Sequence, residues 1–203
     1  MSGDFAVISA GLLPVCAHDL TAPDRPRLEM LVHAITNCQY SAHDFSRFRG
    51  EGERNFARFN MPVEMGMALF HALHTHRVEH RCAFFVSSPH DYQAFVSDLA
   101  GLDPLNYRDP EELLLRTYEW LRDVVNAAFI PTASADIRDL FITYCERVKT
   151  IRGSGADGRA SHQESQELMF QVCSDAGLWD WRKTAAGRVA FPQVPLALND
   201  QRA

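Results

Sequence analysis

Apolar and polar positions along the chain follow two periods in alternation. The run CysAlaPhePheValSer at 82–87 is unbroken, apolar and of strand length, which suits a strand buried on both faces. TyrSerAlaHisAspPhe at 40–45 predicts a second strand that ends in polar chemistry, and LeuAsnTyr at 105–107 a short edge strand. LeuLeuProValCysAla at 12–17 predicts another buried strand, with Pro14 near its start, where a missing ladder donor is tolerated. Between these runs the spacing turns helical. Over 26–38, Leu28, Leu31, Val32 and Ile35 recur on one face, with Asp24 as cap and Pro26 in the first turn. Over 61–74 the same face carries Met65, Ala68, Leu69 and Ala72. A short helix is predicted at 90–100 and a long amphipathic one at 109–127, lined by Leu113, Leu114, Thr117, Trp120, Leu121 and Val124.

Strands separated by helices of this length argue for an α/β fold, a parallel sheet covered on both faces as a three-layer sandwich. Its expected core contains Val15, Leu31, Ile35, Phe84, Phe85, Val86, Leu114 and Leu121. The pattern then changes. Two helical stretches, 134–151 and 161–178, flank the loop GlySerGlyAlaAspGly at 153–158, and no strand pattern follows. Residues 1–128 are therefore read as an α/β nucleotide-binding-like domain and 129–203 as a helical C-terminal extension leaning on it. An α/β unit of this kind opens with a strand and a helix. Here PheAlaValIleSerAlaGlyLeuLeu reads as a helix end with Gly11 as its C-cap, so the first strand is expected to lie upstream of Met1.

Composition narrows the classes. At 203 residues, 46% apolar and 23% charged, the chain is an ordinary globular one. A net charge of −6 is not the electrostatic footprint of a duplex nucleic-acid binder. No apolar run reaches the roughly 18 residues of a membrane span. The N-terminus has no basic segment before its apolar stretch, as a signal peptide would. Five scattered cysteines without a CxxC pair read as reduced thiols of a cytoplasmic protein.

The chemistry concentrates between His43 and Gly66. Open parallel sheets bind ligands beyond the carboxyl ends of their strands. His43, Asp44, Ser46 and Arg47 stand at such an end, and Glu64 falls in the first turn of the next helix, capped by Asn60 or Met61. Glu64 reads either as a site carboxylate or as a partner of the helix dipole. Arg47 and Arg58 can hold phosphate oxygens bidentately or pair with Glu51 and Glu53 on the surface. Gly66 inside a helix suggests the close approach of a ligand or a second backbone. Ser97 and Asp98, beyond the strongest strand, either line the same cleft or bond locally near a helix end.

The segment CysGlnTyrSerAlaHisAspPheSerArg, then ArgPheAsnMetProValGluMetGly, then SerAspLeuAlaGly, resembles a bacterial family. That family is related to Toll/interleukin-1-receptor-like (TIR-like) and nucleoside 2-deoxyribosyltransferase-like domains. The resemblance spans about 12–180 and implies a flavodoxin-like, Rossmann-like sheet. It implies that Glu64 attacks or stabilises the anomeric carbon as an N-glycosidic bond breaks, and that Asp44 contacts the sugar. A fixed carboxylate suits that chemistry, because the departing base leaves an oxocarbenium ion behind.

His71, His74, His76 and His80 lie within ten residues, but nothing in their spacing fixes convergence on one ion. They are read as a solvated helix end, and no metal is assigned. Walker, GxGxxG and GxSxG motifs are absent, which removes the main support for kinase, dinucleotide-oxidoreductase and serine-hydrolase readings. Trp179 and Trp181 read as an apolar anchor packed on the body. The expectation is a nucleoside- or nucleotide-binding protein, an N-glycosidase or deoxyribosyltransferase-like enzyme. It needs no cofactor, has NAD or a nucleotide as substrate or ligand, and can form a homo-oligomer. The alternative is a non-catalytic nucleotide-sensing or protein-interaction module of a bacterial defence or signalling system.

Overall fold

The structure is a computed structural model that describes residues 1–17, 20, 24–46, 60–74, 80–88, 91–94, 96–99, 101–125, 134–152 and 160–178. Arg47, Arg58, His76, Trp179 and Trp181 lie outside them. Three short strands, β1 (Tyr40–Asp44), β2 (Arg81–Val86) and β3 (Leu105–Asn106), form one parallel sheet in the order β1-β2-β3. Parallel pairing demands crossovers, and the sequence supplies them. Helix α3 (Asn60–His74) joins β1 to β2, while two 3-10 turns, Asp91–Ala94 and Ser97–Leu99, precede β3 in place of the expected helix at 90–100. Ala42 pairs with Ala83 and Asp44 with Phe85, and Phe85 in turn with Leu105.

Helix α2 (Arg27–Asn37) precedes β1, and α4 (Pro110–Val124) follows β3. Pro26 itself, extended at ψ 132°, is the N-cap of α2, so Asp24 does not cap it. The start of α4 matches its sequence signal. Asp109 accepts from the Glu112 amide at 2.8 Å, with Pro110 in the first turn. On one face of the sheet, Phe84 and Val86 pack with Phe45, Met65 and Tyr92 beneath α3. Tyr40, on the opposite pleat of β1, meets Trp120 of α4 edge-on at 6.3 Å.

A second core is wholly helical. Helices α1 (Ser2–Ser9), α5 (Ser134–Arg152) and α6 (His162–Asp175) close around the far side of α4. Phe5 lies 5.4 Å from both Phe141 and Tyr144, beside Tyr118, Leu121 and Met169. Helices α1 and α6 end alike. Gly11 at φ +76° and Gly177 at φ +71° let Leu12 donate to the Val7 carbonyl and Leu178 to that of Cys173. Both leucines then pack on the helical core.

The strand expected at 12–17 is not formed. The C-terminal motif of α1 consumes Leu12, Pro14 offers no donor, and the segment crosses α1 instead. There the Cys16 thiol donates to Asp4 at 3.2 Å, and Val15 is exposed rather than core. Ile35, Phe84, Phe85, Val86, Leu114 and Leu121 are buried as expected, and Leu31 only half so. Leu28 and Val32 face outward on α2, as do Val63, Phe70 and Leu73 on α3. No described atom lies within 4 Å of a Cβ built on Gly66, so no close approach among the described residues explains that glycine.

Two substitutions test this packing. Phe85→Ala, on the strand paired from both sides, should lower unfolding free energy by about 3–5 kcal/mol. A loss under about 1 kcal/mol in urea denaturation would mean that β2 is peripheral. Gly66→Ala should raise stability by about 0.5–1 kcal/mol, since it adds helix propensity in open space. A measured decrease would show that something outside the described residues occupies that space.

Candidate functional site

The carboxyl edge of the sheet is organised by Asp44. The last residue of β1 points away from α3, and its side chain is exposed. Its Oδ1 accepts from the Ser46 amide at 2.9 Å, turning the chain out of the strand. The Tyr107 hydroxyl lies 3.0 Å from each carboxylate oxygen and donates to them. Tyr107 itself continues the ladder by donating its amide to the Val86 carbonyl at 3.1 Å. The ends of β1 and β3 are thus clasped across β2, and the Asp44 carboxylate is held in one orientation.

Helices α2 and α3 both run back against the strands, so their N-termini stand at this same edge. Helix α3 begins at Asn60, so Glu64 lies just beyond its first turn rather than in it, and is half-buried. Burial pushes its carboxyl above the usual range, and the Arg27 guanidinium at the start of α2 only partly offsets that. A carboxylate withdrawn from water beside one cation fits a site acid or cation stabiliser better than a solvated dipole partner. Asn60 is exposed, and Met61 packs against the sheet core beneath. Ser97 and Asp98 are exposed on the second 3-10 turn.

His43 does not join these groups. Adjacent strand residues face opposite ways, so with Asp44 outward His43 is buried under α3, 4% exposed. Its Nε2 lies 3.0 Å from Ser41 Oγ, and His80 Nε2 reaches the same oxygen at 3.0 Å. His80 Nδ1 lies 2.8 Å from the Cys38 carbonyl, which can only accept. A neutral His80 therefore carries its proton on Nδ1 and accepts on Nε2. It follows that Ser41 donates to His80 and accepts from the Nε2–H of His43. The chain of bonds runs in one direction, from His43 through Ser41 and His80 to Cys38. The His71 ring stands edge-on to His80 at 5.3 Å. Burial, and then the neighbouring His80, push His43 down to about 4. Burial and His71 also lower His80, against the Cys38 carbonyl.

The expected solvated histidine end is thereby corrected. His71 and His80 are buried, and His74 is exposed, stacked on Phe70 at 4.9 Å. Among the described residues no group of three potential ligands is placed to hold a metal ion. Sequence reasoning missed Arg27, Ser41 and Tyr107 as site residues. For Ser41 a signal existed, since it shares strand parity with His43. Arg27 and Tyr107 reach the edge only through tertiary packing. Compared with family models, curated proteins and solved structures, the chain finds no match.

Glu64→Gln separates the two readings of that residue by stability alone. A carboxyl raised in the folded state favours folding below its unfolded value near 4.5, and that contribution disappears as pH rises through the folded value. The neutral amide should therefore unfold at higher temperature than the parent at pH 7.5, with the difference vanishing near pH 4. If Glu64 served the helix dipole instead, the variant would be less stable at pH 7.5 by about 0.3–1 kcal/mol.

Proposed function

We propose that this chain is a nucleoside- or nucleotide-binding protein of flavodoxin-like architecture that breaks or transfers an N-glycosidic bond at the carboxyl edge of its sheet. The observation that carries the reading is the half-buried Glu64 carboxylate. Its burial raises its pKa at the start of the helix that leaves this edge, opposite one cation.

As the C–N bond breaks, its electron pair leaves with the base, and positive charge grows on the anomeric carbon and ring oxygen. Glu64, as the carboxylate, meets that charge or captures the carbon covalently; water or a second base then completes the transfer. Little water around the carboxylate strengthens the attraction. Asp44, oriented by Tyr107, is suited to accept from sugar hydroxyls, with Ser46, Asn60, Met61, Ser97 and Asp98 around the ligand. Arg27, with Arg47 and Arg58, would supply cations for a phosphate, so that NAD or a nucleotide is a substrate as acceptable as a nucleoside. His43 is left out of this arrangement, because its ring is engaged by Ser41.

No described helix is long and apolar enough to cross a membrane. The five cysteines form no disulfide, which supports a cytoplasmic location. One observation favours a second reading. Phe70 and Leu73 are 65% and 75% exposed on the outer face of α3, an apolar surface more useful to a protein-interaction or sensing module, or to a homo-oligomer, than to an isolated enzyme.

Incubation with deoxynucleosides, nucleotides and NAD, followed by chromatography for free base, decides between them. Base release by the parent protein should fall by about 10²–10³-fold or more in Glu64→Gln. A variant that releases base at the parental rate would end the glycosidase reading, and ligand binding without release would favour the sensor.

A further inference from the structure

The buried histidines of the described residues, His43, His71 and His80, all lie on the sheet side of the molecule. The helical core around α1 buries serines, a threonine and a glutamine but no histidine. We propose that the histidine cluster is an acid-sensitive latch, whose protonation frees β1 and α3 from β2 while the helical core stays folded. This inference is independent of the chemistry assigned to Glu64.

The geometry makes the latch a neutral-state device. Ser41 has one proton, and the directed chain gives it to His80 Nε2. A proton arriving on that nitrogen turns an acceptor into a donor. Two ring N–H groups then converge on one hydroxyl oxygen, and the Ser41 proton loses its imidazole acceptor and is left with the weaker Cys82 sulfur. The new charge sits against the His71 ring at 5.3 Å and one hydroxyl away from His43. The unit joins four elements on this side of the sheet: Cys38 closes α2, Ser41 and His43 belong to β1, His71 to α3, and His80 leads into β2. Local separation of these elements would hydrate all the rings together.

The surroundings supply little compensation. From β2, Cys82 presents a thiol that burial keeps in its neutral form, and burial does the same for the Cys38 thiol at the end of α2. The charges nearest on α2 and α3, Arg27 and Glu64, act on each other at the opposite ends of those helices. The Asp44 carboxylate lies on the outer pleat of β1, bound to Tyr107. Those acting on His43 and His80 are chiefly the other rings of the cluster. The helical core responds in a different range. Its attachments are carboxylate pairs, Arg147 with Asp175 at 2.9 Å and the terminal ammonium with Asp4 at 2.9 Å. For Asp4, burial pushes upward, but the ammonium, the Cys16 thiol and His162 at the start of α6 together outweigh it. This pair therefore survives to lower pH, and a charge on His162 meets a carboxylate.

Hydrogen exchange of the full-length protein, read by mass spectrometry at pH 7.5 and pH 5 and corrected for intrinsic rates, tests the latch. His43 alone, ordinarily titrating at 6.5 and here at about 4, favours any opening that hydrates it by about 30-fold at pH 5. Amides of 40–44, 60–74 and 81–86 should lose protection by at least that factor, while those of 110–124 and 162–175 keep theirs. Equal loss on both sides, or none on the sheet side, would overturn the proposal. His43→Gln should blunt the selective loss, because an amide keeps a donor for Ser41 without a titration. If that variant does not fold, the parental profile still decides.

Discussion

A parallel strand paired on both sides has no face that tolerates water, and β2 imposes that requirement on everything around it. Phe84 and Val86 point one way and Ala83 and Phe85 the other, all buried. One helix must therefore lie on each side. Helix α3 meets the first pair with Met65, while α4 crosses the opposite face. Because α2 and α3 run back against the strands, their N-termini gather at the carboxyl edge. That is how Glu64 and Arg27, from different helices, face each other beside the strand whose last residue is Asp44.

Helix α4 satisfies two cores at once, and this shapes the molecule. Trp120 touches the sheet through Tyr40, whereas Leu114, Tyr118 and Leu121 turn into the helical core. Disturbance of the sheet is thus transmitted chiefly along a single helix whose other face is anchored independently. The polar groups divide in the same way. The sheet side buries imidazoles linked through the Ser41 hydroxyl, and the helical side buries hydroxyls and an amide, such as Thr117 donating to the Leu113 carbonyl at 2.7 Å.

Elements with a strong local signal were legible in the sequence. The apolar run at 82–87, the amphipathic stretch at 109–127 and the helical stretch at 161–178 became β2, α4 and α6. Residues 12–17 misled, because an apolar run after a helix can serve the helix terminus instead of a sheet, and Pro14 favours that outcome. Of the site, Asp44 and Glu64 were legible from their places at a strand end and a helix start. His43 was assigned to the edge even though its parity with Ser41, opposite to Asp44, already turned it inward. The histidine cluster was not legible by spacing within one element, since its rings come from a strand, a helix and a connecting residue. Arg27 and Tyr107 were similarly hidden, being brought to the edge by chain reversal.

The burial of α1 also bears on how the molecule is made. Ser9 contacts Cys173 across 164 residues, Tyr144 reaches Met1 across 143, and Phe5 lies among side chains of α4, α5 and α6. A helix of eight residues is too short to persist alone in water. It precedes α5 and α6 in synthesis, so its apolar side chains must wait, unpacked, until those partners are made. The entropy of closing so long a loop falls on the step that docks them. Contacts this distant in sequence slow folding, because their closure cost comes before their reward.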